Sequence, residues 1–346
     1  MVLLLYEGSP IKPHPPVAIL IVQSLSQTGQ MRQARAAGRP LKLACRRDGL
    51  VEDRNSLIAM DISIGVVIPV YNRPEGAAAA IESVLSQAFQ PKQIVVVDDC
   101  SNPALALPAA LDDDPRATLI RLKRNSGASA ARRAGCEALD TSHVAFLDSD
   151  DLWSPGKLSA QLELLERLGA PEMTAVSCGW RWVEPRRSPN TVHPRPSAKL
   201  ADFVSGCWFC PGSTVLMSLA AHNRIGGFDP ALRRLEDLDL FIRFAQGGGR
   251  LEVVPSAQVT ISRARHATRA DVDRAAARLR AKYFETGEAP LPPGLRRRLD
   301  GWLAVEEAAA ARNEGQFLRM ASRLFHSLLV APRLGLQLGD WRQRAG

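Results

Sequence analysis

Three carboxylates crowd the end of one apolar run. In VAFLDSDDLW, residues 144–153, the run closes on Asp148, Asp150 and Asp151. Like charges this close raise one another's pKa and destabilise a fold unless a cation, an arginine or water offsets them. One reading is a solvated turn before a helix, with Ser154 as N-cap and Pro155 at the first helical position. The other is a hard-cation site, in which carboxylate oxygens hold Mg²⁺ or Mn²⁺ against a phosphate-bearing substrate. Two further acids, Glu236 and Asp237, open the amphipathic stretch EDLDLFIRFAQGG. Each can serve as a general base or simply favour a helix N-terminus, and Asp239 is read in the second sense. Asp98 and Asp99 close the apolar run QIVVVDD, where a plain strand-end turn is the alternative to ligand binding.

These residues need elements to carry them. ISIGVVIPV, QIVVVDD, ATLIRLK and HVAFLD read as strands, and PEGAAAAIESVLSQ, SGASAARRAGCEAL and KLSAQLELLERL as helices between or after them, with Asn72 and Pro74 as start signals for the first. Apolar strands separated by helices predict a mostly parallel sheet covered on both faces, so the fold class is α/β. Ligands of such sheets bind beyond the carboxyl ends of the strands, and Tyr71–Asn72, Asp98–Asp99 and Asp148–Asp151 all fall there. GSTVLMS and RLEVVPSAQVTIS read as later strands, and residues 267–346 as a helical C-terminal extension. Residues 1–59 lack a sustained period and are expected to be a poorly ordered arm upstream of a natural start at Met60, with the main domain at 60–266.

Composition narrows the classes. The 346 residues, 46% hydrophobic and 23% charged, suit an ordinary globular chain. Its net charge of +8 is compatible with nucleic acid, an anionic membrane or a phosphorylated small molecule. Aromatic and basic residues do not interleave, so no nucleic-acid partner is expected. The six cysteines form no framework, which predicts a reducing cytoplasm. Cys207 and Cys210 make a C-x-x-C without two further zinc ligands, read as a structural or loop feature. No apolar run reaches the ~20 residues that span a bilayer. Residues 267–346 carry an excess of Lys and Arg beside apolar stretches such as FLRMASRLFHSLLV. They are either a helical cap or a peripheral contact at the inner face of the cell membrane.

Five segments stand in order: VVIPVYNR, VVVDDCS, RNSGASAARRAG, FLDSDDLW and IGGFDPALRRLEDLDLFIRFA. This series resembles the inverting family 2 glycosyltransferases, which have the GT-A fold of nucleotide-diphospho-sugar transferases with a Rossmann-like central sheet. The resemblance implies metal-dependent transfer of a sugar from a nucleotide-sugar donor to a carbohydrate or lipid-linked acceptor hydroxyl, in polysaccharide, cell-envelope or glycolipid synthesis. It also implies that Pro69, Tyr71, Asn72, Asp98 and Asp99 surround the nucleoside and that Arg132 meets the diphosphate. Asp148 and Asp150 would take the D-x-D positions, with Asp150 as direct metal ligand and Asp148 on ribose or metal. Asp237 would be the base, and His266 would reach the metal or diphosphate. Acceptor choice would lie in about 178–235, with Trp180, Trp182 and Trp208 as sugar-stacking surfaces or, as is more common for tryptophan, core. The rivals are a sugar-phosphate nucleotidyltransferase, whose glycine-rich segment PVYNRPEGA matches poorly, and an inactive nucleotide-sugar-binding protein.

Overall fold

The computed structural model describes residues 62–184, 187–209, 212–262, 268–285 and 287–332, and the expected arm at 1–59 lies outside them. The fully apolar runs become buried strands: β1 (Ile64–Val70), β2 (Gln93–Asp98) and β4 (His143–Phe146), with β3 (Ala117–Arg121) at the edge. Between and after them lie α1 (Pro74–Leu85), the short α2 (Ala109–Asp112), α3 (Ala128–Glu137), β5 (Leu152–Trp153) and α4 (Lys157–Arg167). Then come β6 (Thr174–Glu184), β7 (Arg187–Val192), α5 (Leu200–Phe203), a 3₁₀ turn at Gly212–Thr214, β8 (Leu216–Ser218) and α6 (Leu219–Arg224). The chain continues through α7 (Glu236–Gln246), β9 (Arg250–Ser262), α8 (Arg269–Tyr283), α9 (Pro293–Asn313) and α10 (Phe317–Val330).

Among the described residues nine strands share one sheet in the order β3-β2-β1-β4-β8-β6-β9-β5, with β7 paired to β6. The expectation of a mostly parallel sheet holds for β3-β2-β1-β4 only. Beyond β4 the sheet is mixed: β8 runs antiparallel to β4 and β6, β9 parallel to β6, and β5 antiparallel to β9. The physical reason is the route of the chain, since β6 and β7 form a hairpin and β8 then runs back antiparallel to both β4 and β6. One apolar cluster lies under α1 and α4, built on Ile64, Ile68, Ile94, Val96 and Leu158. Another lies under α3 and α7, built on Val67, Val95, Phe146, Phe228 and Phe241. Helices α8 and α9 do not stand apart, because Leu279, Tyr283, Leu299 and Trp302 share a third cluster with Leu238 and Ile242 of α7.

Three local expectations change. The helix after the acidic turn starts at Lys157, not Pro155, because the Ser154 backbone N–H donates to Gln258 O at 2.8 Å and ties that residue to β9. GSTVLMS is a 3₁₀ turn followed by a three-residue strand. Arg73, not Asn72, caps α1, with Pro74 in the first turn where its missing N–H costs nothing.

Candidate active site

Strand β4 delivers the acidic turn to the carboxyl edge of the sheet, and the four carboxylates around that turn have four different settings. Asp151 is buried: Ser213 Oγ donates to it at 2.6 Å and Ser262 N at 3.2 Å, while Asp148 N–H donates to Ser213 Oγ at 3.0 Å. Burial, with Asp148 beside it, pushes the Asp151 carboxyl well above the usual range, and its two hydrogen bonds anchor the turn. Asp150 is half-buried and paired with Arg73. Its carboxyl is raised by burial and by the Asp148 charge, against the opposing pull of Arg73. Asp148 receives Arg132 Nη2 at 2.6 Å.

Helix α7 supplies the fourth group, Asp237, and its neighbour Glu236. Leu235 caps the helix in a left-handed conformation, φ 59°, which turns the first helical residues toward β4. Arg132 of α3 reaches across, donating from Nη1 to Glu236 at 3.0 Å and from Nη2 to Asp148. Gly212 backs the same space: a Cβ there would sit 3.1 Å from Arg132 Nη2 and 3.5 Å from Asp237 Oδ1. One guanidinium therefore gathers the strand-end acid and the helix-start acids into one site. Asp237 keeps part of its surface open, yet protein atoms surround most of the carboxyl. Desolvation, joined by the charges of Glu236 and Asp148, outweighs Arg132 and Arg234 and pushes it up to about 7.

The nucleoside side is built from β1 and β2. Pro69 is buried within β1, whereas Tyr71 is 46% exposed and Asn72 is exposed with φ 50°. Asn72 ties the two strand ends together: its N–H donates to Ser101 Oγ at 2.9 Å and its Oδ1 accepts from Asn102 N at 2.8 Å. Asp98 is fully buried and already accepts from Ser101 N, Leu105 N and Arg121. Asp99 accepts from Asn125 Nδ2 at 3.0 Å and from the Ser126 and Gly127 N–H groups at 2.7 Å, which fixes the loop entering α3.

Burial sets apart Arg132, Trp180 and Asp239. Arg132 is only 2% exposed, and its two terminal nitrogens bond Asp148 and Glu236. Trp180 is core, and Trp208 lies against Phe203 with its Nε1 donating to Asp202 O at 3.0 Å. Asp239 is no simple helix-start acid: it is fully buried and meets Arg243 at 2.6 Å, Tyr283 OH at 2.7 Å and Lys282 at 2.9 Å. His266 and Cys210 lie outside the described residues. Sequence reasoning assigned no role to Arg73, which the turn after β1 brings to Asp150, or to Ser213, whose partners are distant in the chain.

Among the described residues no three His, Cys, Asp or Glu side chains form a ready metal cage. Asp148 and Asp150 nonetheless fit Mg²⁺ or Mn²⁺ by donor chemistry. Both are hard oxygen donors at one turn, the Asp150 carboxyl is raised beside Asp148, and such ions are held by one or two carboxylates with phosphates completing the shell.

Residues 65–225 match the family model described as glycosyl transferase family 2. The matched residues make up just under half of the chain. A relative is the succinoglycan biosynthesis protein ExoO of Rhizobium meliloti, 34% identical over 201 residues, which cover 55% of this chain and 58% of ExoO. Another is the putative teichuronic acid biosynthesis glycosyltransferase TuaG of Bacillus subtilis, 37% identical over 117 residues, 33% of this chain and 46% of TuaG. The chain thus spans less than two thirds of the length of these relatives. The fold is that of S. aureus TarS residues 1–349, solved in complex with UDP, with a TM-score of 0.54 at 16% identity over 82% of this chain and 88% of that one. Helix α7, with Asp237, lies beyond the matched residues, and its Glu236 is bonded to them through Arg132.

Proposed function

We propose that the protein transfers a sugar from a nucleotide-diphospho-sugar to an acceptor hydroxyl by a single displacement that inverts the anomeric centre. The observation that carries this reading is Asp237, a carboxyl pushed up to about 7 beside an acidic turn that lies within the residues matching the family 2 model. A base with that pKa is half ionised near neutral pH and still basic enough to take the acceptor proton as the C–O bond forms, which contributes roughly 10²- to 10⁴-fold. No covalent sugar intermediate is required, so one carboxylate suffices. The structure of TarS with UDP and another of TarS with UDP-GlcNAc support a nucleotide-sugar donor. The names of ExoO and TuaG support a polysaccharide or envelope acceptor, carbohydrate or lipid-linked.

Asp150, with Asp148, would hold Mg²⁺ or Mn²⁺, which when bound supplies positive charge to the departing nucleoside diphosphate. The chain's own residues do the rest. Tyr71 offers an exposed ring toward the nucleoside, while Asp98, Asp99, Asn72 and Pro69 hold the strand ends and the loop that shape the pocket. Arg132 acts as a positioning residue, holding Asp148 and Glu236 and lying beside Asp237. The test is release of nucleoside diphosphate from a panel of nucleotide sugars with and without Mn²⁺. Mn²⁺-dependent release by the wild type and its loss in Asp237→Asn, with donor binding kept, are expected. Wild-type release by Asp237→Asn, or pyrophosphate release from a nucleoside triphosphate, would overturn the assignment.

A further inference from the structure

Helix α10 is mounted the wrong way round for a globular protein. Its polar side faces the molecule: Arg319 meets Asp273 at 2.8 Å, Arg323 meets Glu307 at 3.6 Å, His326 Nε2 meets Asp300 at 2.9 Å, and Ser327 Oγ donates to Gly301 O at 2.6 Å. Its apolar side faces solvent. Leu318 is 91% exposed, and Phe317, Phe325, Leu328 and Leu329 are also exposed. At 100° per residue, Leu318, Phe325 and Leu329 fall on one line, opposite Arg323 and Ser327.

We propose that this outward strip docks α10 on an anionic lipid surface. Charge complementarity selects that occupant. Helices α9 and α10 pack antiparallel, with Gly301 against Ser327 and Ala331, so Arg297 and Arg298, one turn earlier, lie at the end where α10 finishes. Both are exposed, and neither makes an ion pair among the described residues. Residues 333–346 continue this composition, with Arg333, Arg342, Arg344, Trp341 and several leucines against a single acid, Asp340. Exposed Phe and Leu beside unpaired Arg is the pattern of a helix lying in a bilayer interface, where apolar burial and attraction to anionic headgroups add.

A second copy is the weaker fit. The strip from Phe317 to Leu329 is about 18 Å long, and one helix face of that length falls short of the roughly 1,200–2,000 Å² of a stable protein interface. No helix among the described residues is long and apolar enough to cross a membrane, so the contact is peripheral. The inference is independent of sugar transfer.

The test is flotation of the full chain with phosphatidylcholine vesicles, with and without phosphatidylglycerol. The wild type should float with the anionic vesicles, less so at high salt. Leu318→Glu/Phe325→Glu/Leu329→Glu should cut the bound fraction about 10-fold or more, with an unchanged unfolding temperature, since these side chains are exposed. Arg297→Ser/Arg298→Ser, a milder change, should lose the preference for phosphatidylglycerol. Failure of the wild type to float, or wild-type binding by the triple variant, would overturn the proposal. So would a wild-type dimer that the triple variant turns into monomer, because the strip would then belong to a second copy.

Discussion

Replacing Asp237 by Asn should stabilise the protein, and more so at high pH. The carboxyl is pushed from 3.8 up to about 7, with desolvation as the main cause. An acid whose folded pKa lies above its unfolded value binds more protons when folded. Its contribution is therefore present at low pH and is lost as pH rises from about 4 through 7. At about 1.4 kcal/mol per unit, keeping Asp237 ionised costs the folded state on the order of 4 kcal/mol well above pH 7. Asn has nearly the same shape and no charge. Its advantage over the wild type should therefore widen by about 2–3 kcal/mol between about pH 5 and pH 8, and taking the difference between two pH values cancels any change in packing. Urea unfolding of both proteins in chelator-containing buffer reads the effect. An advantage that stays flat or reverses with pH would mean that Arg132 holds Asp237 ionised at low pH, and the argument for a base poised near neutrality would fail. The same variant should be inactive in transfer, so the site gives up stability for function.

Asp150 and Arg73 are paired, so a cation must displace the guanidinium: Arg73→Ala should tighten Mn²⁺ binding several-fold in the absence of donor, and Asp150→Ala should abolish it, both read by electron paramagnetic resonance of free Mn²⁺. Ser213→Ala removes the hydroxyl that joins Asp148 N to Asp151 and should cost about 1–3 kcal/mol in chemical unfolding. Lys157 is buried against Trp153 and, among the described residues, donates to Gln161 Oε1 at 2.8 Å, and burial lowers it to about 8. A buried lysine of that kind destabilises the charged fold at neutral pH, and the penalty fades as pH rises from about 8 toward 10.5. Lys157→Met should be more stable than the wild type near neutrality, with the gap narrowing by about 2 kcal/mol between pH 8 and 10.

Much of the scaffold was legible because local pattern and final burial agree. Ile64–Val70 and Gln93–Asp98 are continuous apolar runs and become central strands, and Glu236–Gln246 ends where its glycines begin. The mixed half of the sheet was not legible. β6 and β7 carry Arg, Asn and Pro among their apolar residues, and their strand character comes from pairing with each other and with β9. The acids were found as types, but their division of labour was not. Asp151 differs from Asp150 only in what the tertiary fold places beside it, Ser213 and Ser262 in one case and Arg73 in the other. The partners of Arg132 were not legible either. A helix arginine in sequence looks solvated or ligand-facing, and only the approach of α7 to β4 makes it an internal tie.

That tie bears on why the acidic turn would need a divalent cation. Arg132 is shared by Asp148 and Glu236 with Asp237 nearby, and Arg73 is occupied by Asp150, so these two guanidinium groups, with Arg234 near Asp237, are outnumbered by Asp148, Asp150, Asp151, Glu236 and Asp237. A nucleoside diphosphate sugar would add about two more negative charges, and repulsion in a partly desolvated site is worth several kcal/mol. Arg132 is buried, and its two terminal nitrogens are already bonded to Glu236 and Asp148. If the donor binds at this edge, positive charge must arrive with it, and Asp150 is the acid whose partner Arg73 is exposed enough to swing away. Donor affinity should accordingly fall steeply when Mg²⁺ and Mn²⁺ are chelated and stay unchanged when ionic strength alone is raised by a monovalent salt within the same range. Equal donor affinity with and without chelator, measured by calorimetry, would show that the chain's own arginines suffice.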